Sequence, residues 1–74
     1  MRTVPKAGEI WKFEGGHRIY ILKVVKEKHD ALVIEEDQTG GIYSLDLFGS
    51  IIKYTGDRVP FEDIAAILFP EKED

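Results

Sequence analysis

Glycine and its turn-forming companions recur so closely along this chain that they cut it into short runs. The breaks fall at Ala7-Gly8, Gly15-Gly16, His29-Asp30, Gln38-Thr39-Gly40-Gly41, Gly49-Ser50 and Thr55-Gly56-Asp57. Between them the chain is rich in Ile, Val, Tyr, Phe and Trp, whose branched and ring side chains suit a pleated surface. The pattern predicts an all-β fold with strands at 9–13, 18–28, 31–37, 42–48 and 51–55.

Alternation along the strands assigns their faces. In Ile42-Tyr43-Ser44-Leu45-Asp46-Leu47, residues Tyr43, Leu45 and Leu47 share a buried face while Ser44 and Asp46 face water. The 18–28 run is apolar on both faces at Ile19-Tyr20-Ile21-Leu22 and is then broken by Lys23, Lys26, Glu27 and Lys28, which reads as a long bent strand, buried at its start and solvated at its end. Lys28-His29-Asp30 turns it tightly into the next. Past Pro60 two readings stand. Proline followed by Glu62 and Asp63 suits a helix start, with Phe61, Ile64, Ala65 and Leu68 on one face. Ala66, Ile67 and Phe69 make the segment apolar all round, which suits a short turn followed by a sixth strand at 64–69.

At 74 residues without cysteine, the chain is expected to form one small domain over 1–70 with a charged tail over 71–74. Neither disulfides nor thiolate zinc can supplement its core, so apolar packing must suffice. The longest apolar run, 64–69, falls far short of the roughly 20 residues that span a bilayer, and Met1-Arg2-Thr3-Val4-Pro5 has no apolar leader. A cytosolic protein without membrane contact is expected.

Two motifs carry a resemblance. Lys6-Ala7-Gly8-Glu9-Ile10-Trp11 resembles the basic-x-Gly-acidic-aliphatic opening of SH3-like small barrels, a group that includes the KOW modules and the PemK-type toxins. Val59-Pro60-Phe61-Glu62-Asp63-Ile64 is similar to the Val-Pro, helical turn, aliphatic ending that joins the last two strands in peptide-binding members. The resemblance implies a small SH3-like barrel of five or six antiparallel strands with one short helical turn after Pro60. The Trp-Trp pair that grips proline-rich ligands in that group is missing, because Trp11 is the sole tryptophan and lies in the first strand. Proline-rich recognition and the toxins' RNase activity are therefore not expected.

No catalytic constellation stands out. His17 and His29 read as exposed turn residues, and no third nitrogen or sulfur ligand stands at metal-binding spacing. From Glu35 to Asp46, Asp37, Thr39 and Gly40 fall at the spacing of an EF-hand calcium loop, but strands flank the segment where helices belong, so a solvated hairpin is expected. Gly15-Gly16 and Gly40-Gly41 lack the Lys-Ser/Thr and helix of a phosphate loop. A chain this short also has little means of enclosing a dry catalytic pocket. No enzymatic role, cofactor or metal is expected.

The expectation is a binding module that docks on a protein partner, or on a second copy of itself, through an aromatic patch or a strand edge. Ile10 and Trp11 alternate, so one of them should reach the surface or an edge, which makes Trp11 a contact candidate. Ile67 and Phe69 join it as part of an uncharged segment that a neighbour must cover if it is a strand, either the first strand or a second copy. The alternative is nucleic-acid binding by a stripe of Arg18, Lys23, Lys26, Lys28 and Lys53, against a net charge of −4 from ten basic and fourteen acidic residues.

Overall fold

The computed structural model describes residues 4–36 and 39–68. It is all-β apart from short helical pieces, with five antiparallel strands in one sheet, compatible with a small barrel-like fold. The strands are β1 (Glu9–Phe13), β2 (Arg18–Val25), β3 (Asp30–Glu35), β4 (Gly40–Ser44) and β5 (Ile52–Arg58), in the spatial order β4-β3-β2-β1-β5. Consecutive strands β1 to β4 form a meander, and β5 returns to pair with β1. No described helix is long and apolar enough to cross a membrane.

Two expected strands are shorter than the apolar pattern suggests, because each ends in a single 3-10 turn. Lys26–Lys28 curls at the end of β2, and His29 closes it in the left-handed region at φ 58°. Leu45–Leu47 curls after β4, where the Ser44 hydroxyl accepts the Asp46 N–H at 3.2 Å. The face assignment survives the change of element, since Leu45 is buried, Leu47 packs against the core and Asp46 is exposed.

The segment after Pro60 is a helix, α1 (Phe61–Leu68), and not a sixth strand. The Pro60 carbonyl accepts from the N–H groups of Asp63 and Ile64, which begins the helical ladder. Glu62 and Asp63 are exposed in the first turn, where the helix dipole favours acids, and Ile64 turns inward and is buried. Helix formation also removes the expected contact of β1 with a terminal strand: β1 lies between β2 and β5.

Trp11 centres the main core. It is fully buried, edge-on to Phe48 with ring centroids 5.0 Å apart and tilted against Tyr54 at 5.4 Å. Ile19, Ile21, Val33 and Ile52 complete the same cluster. Ile10, Ile34 and Ile64 are buried outside it, so the opposite face of the sheet is covered in its middle as well. The entry to β1 is fixed by Gly8, whose N–H donates to Ile21 and whose carbonyl accepts from Val59.

Candidate interaction surface

Cross-strand register decides which side chains gather on the outer face. Leu32 of β3 stands opposite Ile42 of β4, and Leu22 of β2 is the extra residue of a bulge beside Val33 and Leu32. Together they line a shallow groove of about 520 Å³ whose floor includes Gly40 and Gly41. Ile42 is 64% exposed and Leu32 37%. Leu22 also borders a second cavity, of about 370 Å³, between Gly8, Val59, Pro60 and Ile64. Leu22 thus stands between the two hollows, one beside the start of α1 and one at the sheet margin.

That margin is β4, which among the described residues pairs with β3 alone. Glu35 donates its N–H to Thr39, and Leu45 donates to His29, which fixes these as hydrogen-bonded pairs at the two ends of the β3–β4 ladder. Such pairs alternate in an antiparallel ladder, so Gly41 and Tyr43 turn their backbone groups toward β3 while Gly40, Ile42 and Ser44 turn theirs outward. The strand carries no charge and no proline, and its two glycines leave the backbone unshielded. The other margin differs. β5 bears Lys53, Asp57 and Arg58 and is bulged against β1, features that blunt an edge.

The expected contact residues fare unequally. Trp11 offers no surface, because the strand is buried on both faces: Ile10 is 8% exposed and Trp11 0%. Alternation between an inside and an outside fails for a strand covered on both sides. Ile67 lies in α1, and Phe69 lies outside the described residues. Ile42 was missed because the sequence shows its alternation but not which strand ends up at the margin.

The five expected cations divide into two groups. Arg18 and Lys53 flank Lys12 in register, Arg18 from β2 and Lys53 from β5, so three exposed cations stand in one row. Arg18 pairs with Glu36 at 2.9 Å, and the Lys53 ammonium donates to the Gly49 carbonyl at 2.9 Å. Lys23, Lys26 and Lys28 lie toward the far end of β2, roughly 15–25 Å along the strand from Arg18. They do not form one stripe.

Both histidines have partners that sequence spacing could not reveal. His17 meets Glu35 at 2.6 Å, and the Tyr43 hydroxyl donates to the other oxygen of the same carboxylate. His29 meets Asp46 at 2.8 Å. The acids that opened and closed the calcium-loop spacing are thus held by separate side chains, and no described group of His, Asp and Glu is arranged to hold a metal. No family model matches this chain, and no curated protein or solved structure shows significant similarity to it.

Proposed function

We propose that this protein is a non-enzymatic docking module that binds another polypeptide along the open edge of β4 and the adjoining apolar groove. One observation carries the reading: Ile42 stands 64% exposed on an uncharged, unprotected edge strand. Strand addition supplies main-chain hydrogen bonds to the outward groups of Gly40, Ile42 and Ser44, and the Leu22–Leu32 groove takes alternate side chains of the incoming strand. The strand order and the 3-10 turn between β4 and β5 support the SH3-like reading, although that turn is Leu45–Leu47 and the Val59-Pro60 motif leads into α1 instead. A photo-reactive amino acid at position 42 should capture polypeptide adducts in cells that express the protein, whereas the same probe at Lys53 should not. Equal or absent capture at the two positions would refute the reading.

A second reading rests on the Lys12–Arg18–Lys53 row, where like charges stand directly opposite one another. Such a row suits a phosphate backbone, and binding to labelled single strands would fall steeply with salt and be lost in Lys12→Glu. No retention at low salt removes it.

A further inference from the structure

We propose that the hollow between the start of α1 and the sheet binds a small aliphatic monocarboxylate, its chain against Ala7, Leu22, Val59, Pro60 and Ile64 and its carboxylate on Arg58. The site lies apart from the β4 edge and does not depend on the docking reading. Two turns build it. Gly8, at φ 91°, carries the chain into β1, and Val59-Pro60 carries β5 into α1. The Val59 N–H donates to the Gly8 carbonyl at 2.6 Å and ties the two turns together. Leu22, the bulge residue of β2, and the buried Ile64 of α1 add the remaining walls.

The polar groups of the walls decide what the hollow can take. Gly8 donates its N–H to Ile21 and accepts from Val59, and the Pro60 carbonyl accepts from Asp63 and Ile64. These backbone groups are spent inside the fold. A peptide's amides would find few partners here, whereas a hydrocarbon chain needs none. The volume of about 370 Å³ falls at the small end of ligand cavities, roughly 300–1,000 Å³, and suits a chain of about eight carbons.

Charge names the head group. Among the described residues that line the hollow Arg58 alone is charged, and its guanidinium has no ion-pair or hydrogen-bond partner there, unlike Arg18, which Glu36 holds. A planar guanidinium offers a carboxylate two parallel hydrogen bonds. The exposed charges beside the lining residues in sequence are mixed: Lys6 and Lys23 adjoin Ala7 and Leu22, while Asp57, Glu62 and Asp63 stand close to Arg58. With Arg58 they make three cations and three anions, which cancel at a distance. Only direct pairing with Arg58 then favours an anion, and a doubly charged phosphate monoester gains no second cation for its second charge.

Octanoate is the probe. Titration calorimetry should show saturable binding to the wild type, with affinity rising roughly two- to fourfold per methylene from hexanoate to octanoate. Octanol, which keeps the chain and lacks the charge, should bind about fivefold more weakly, and octanoate should lose the same factor in Arg58→Gln. Ala7→Phe, at an exposed position, should fill the hollow and abolish binding, whereas Lys53→Gln should bind as the wild type does. Melting of the unliganded variants checks that each is folded. Backbone amide resonances of the wild type should shift on binding at Gly8, Leu22, Val59 and Ile64 and stay in place at Ile42, a readout that needs no variant. Absence of saturable octanoate binding overturns the site, as does undiminished binding by Arg58→Gln or a set of shifts centred on Ile42. Photo-capture at position 42 is untouched by any of these results, so the docking reading stands or falls separately.

Discussion

The indole Nε1 of Trp11 donates a hydrogen bond to Oε1 of Glu9 at 3.1 Å, joining two side chains of β1 that point into the same interior. The same oxygen accepts the backbone N–H of Lys6 at 2.8 Å, and Glu9 is 1% exposed. A buried carboxylate thus ties the turn before β1 to the largest ring of the core. Glu9→Ala should leave these donors without an acceptor and cost about 2–4 kcal/mol, while Glu9→Gln keeps an oxygen in place and should cost less. Denaturant titration followed by Trp11 fluorescence measures both; equal losses would mean that the hydrogen bonds contribute little beyond packing.

Glycine substitutions should separate backbone strain from crowding. Gly8 has φ 91°, and a Cβ there would lie 3.3 Å from the Val59 carbonyl oxygen. Gly56 has φ 89° with open space around it, and Gly15 has neither constraint. Alanine should therefore cost most at Gly8, about 1–2 kcal/mol at Gly56, and least at Gly15. Thermal melting of the three variants gives the order, and a Gly8 variant as stable as the Gly15 variant would contradict it.

The glycine spacing made the strands legible because tight turns demand residues of this kind wherever they occur. Strand ends were less legible. Leu45 and Leu47 keep the alternation of a strand while lying in a 3-10 turn, since burial on one side suits either element. Trp11 was misplaced because alternation reports opposite faces and not whether both are covered. Likewise, the partners of Glu35 are His17 and Tyr43, residues brought together by three different segments and invisible to spacing. The candidate surface depends most on tertiary order: the composition of β4 was in plain view, but only the sheet order makes it a margin.

Leu45 and Ser44 test the turn that ends β4. Leu45 is 9% exposed in the core cluster, so Leu45→Ala should cost about 2–4 kcal/mol. Leu47 is half-buried and should cost less. Ser44→Ala removes the acceptor for the Asp46 N–H and should cost about 0.5–1 kcal/mol. Urea midpoints for the three variants check the ranking.

Glu35 bridges His17 and Tyr43, so the two outer partners should be energetically coupled through it. Once either His17→Ala or Tyr43→Phe has freed the carboxylate to rotate, the second change should cost a different amount. A double-mutant cycle should show a coupling of about 0.5 kcal/mol or more, and additive losses would show that the two contacts act independently.

Lys12 stands between Arg18 and Lys53 in register, and among the described residues it has no ion-pair partner. Its neighbours differ, because Arg18 is answered by Glu36 and the Lys53 ammonium is tied to the Gly49 carbonyl. Like charges directly opposite on adjacent strands repel, so Lys12 should weaken the β2–β1–β5 ladder by a few tenths of a kcal/mol. Lys12→Glu reverses the sign of both cross-strand interactions and should raise the melting temperature at low ionic strength. The gain should shrink as salt rises, since all three side chains are exposed and screening acts fully on them. Lys12→Thr separates charge from strand propensity: it removes the repulsion without adding attraction, and its gain should be smaller and also salt-dependent. Melting curves at low and high salt decide the matter. A gain that persists unchanged in high salt would trace to strand propensity, and no gain in either variant would show that the three cations splay far enough apart to ignore one another.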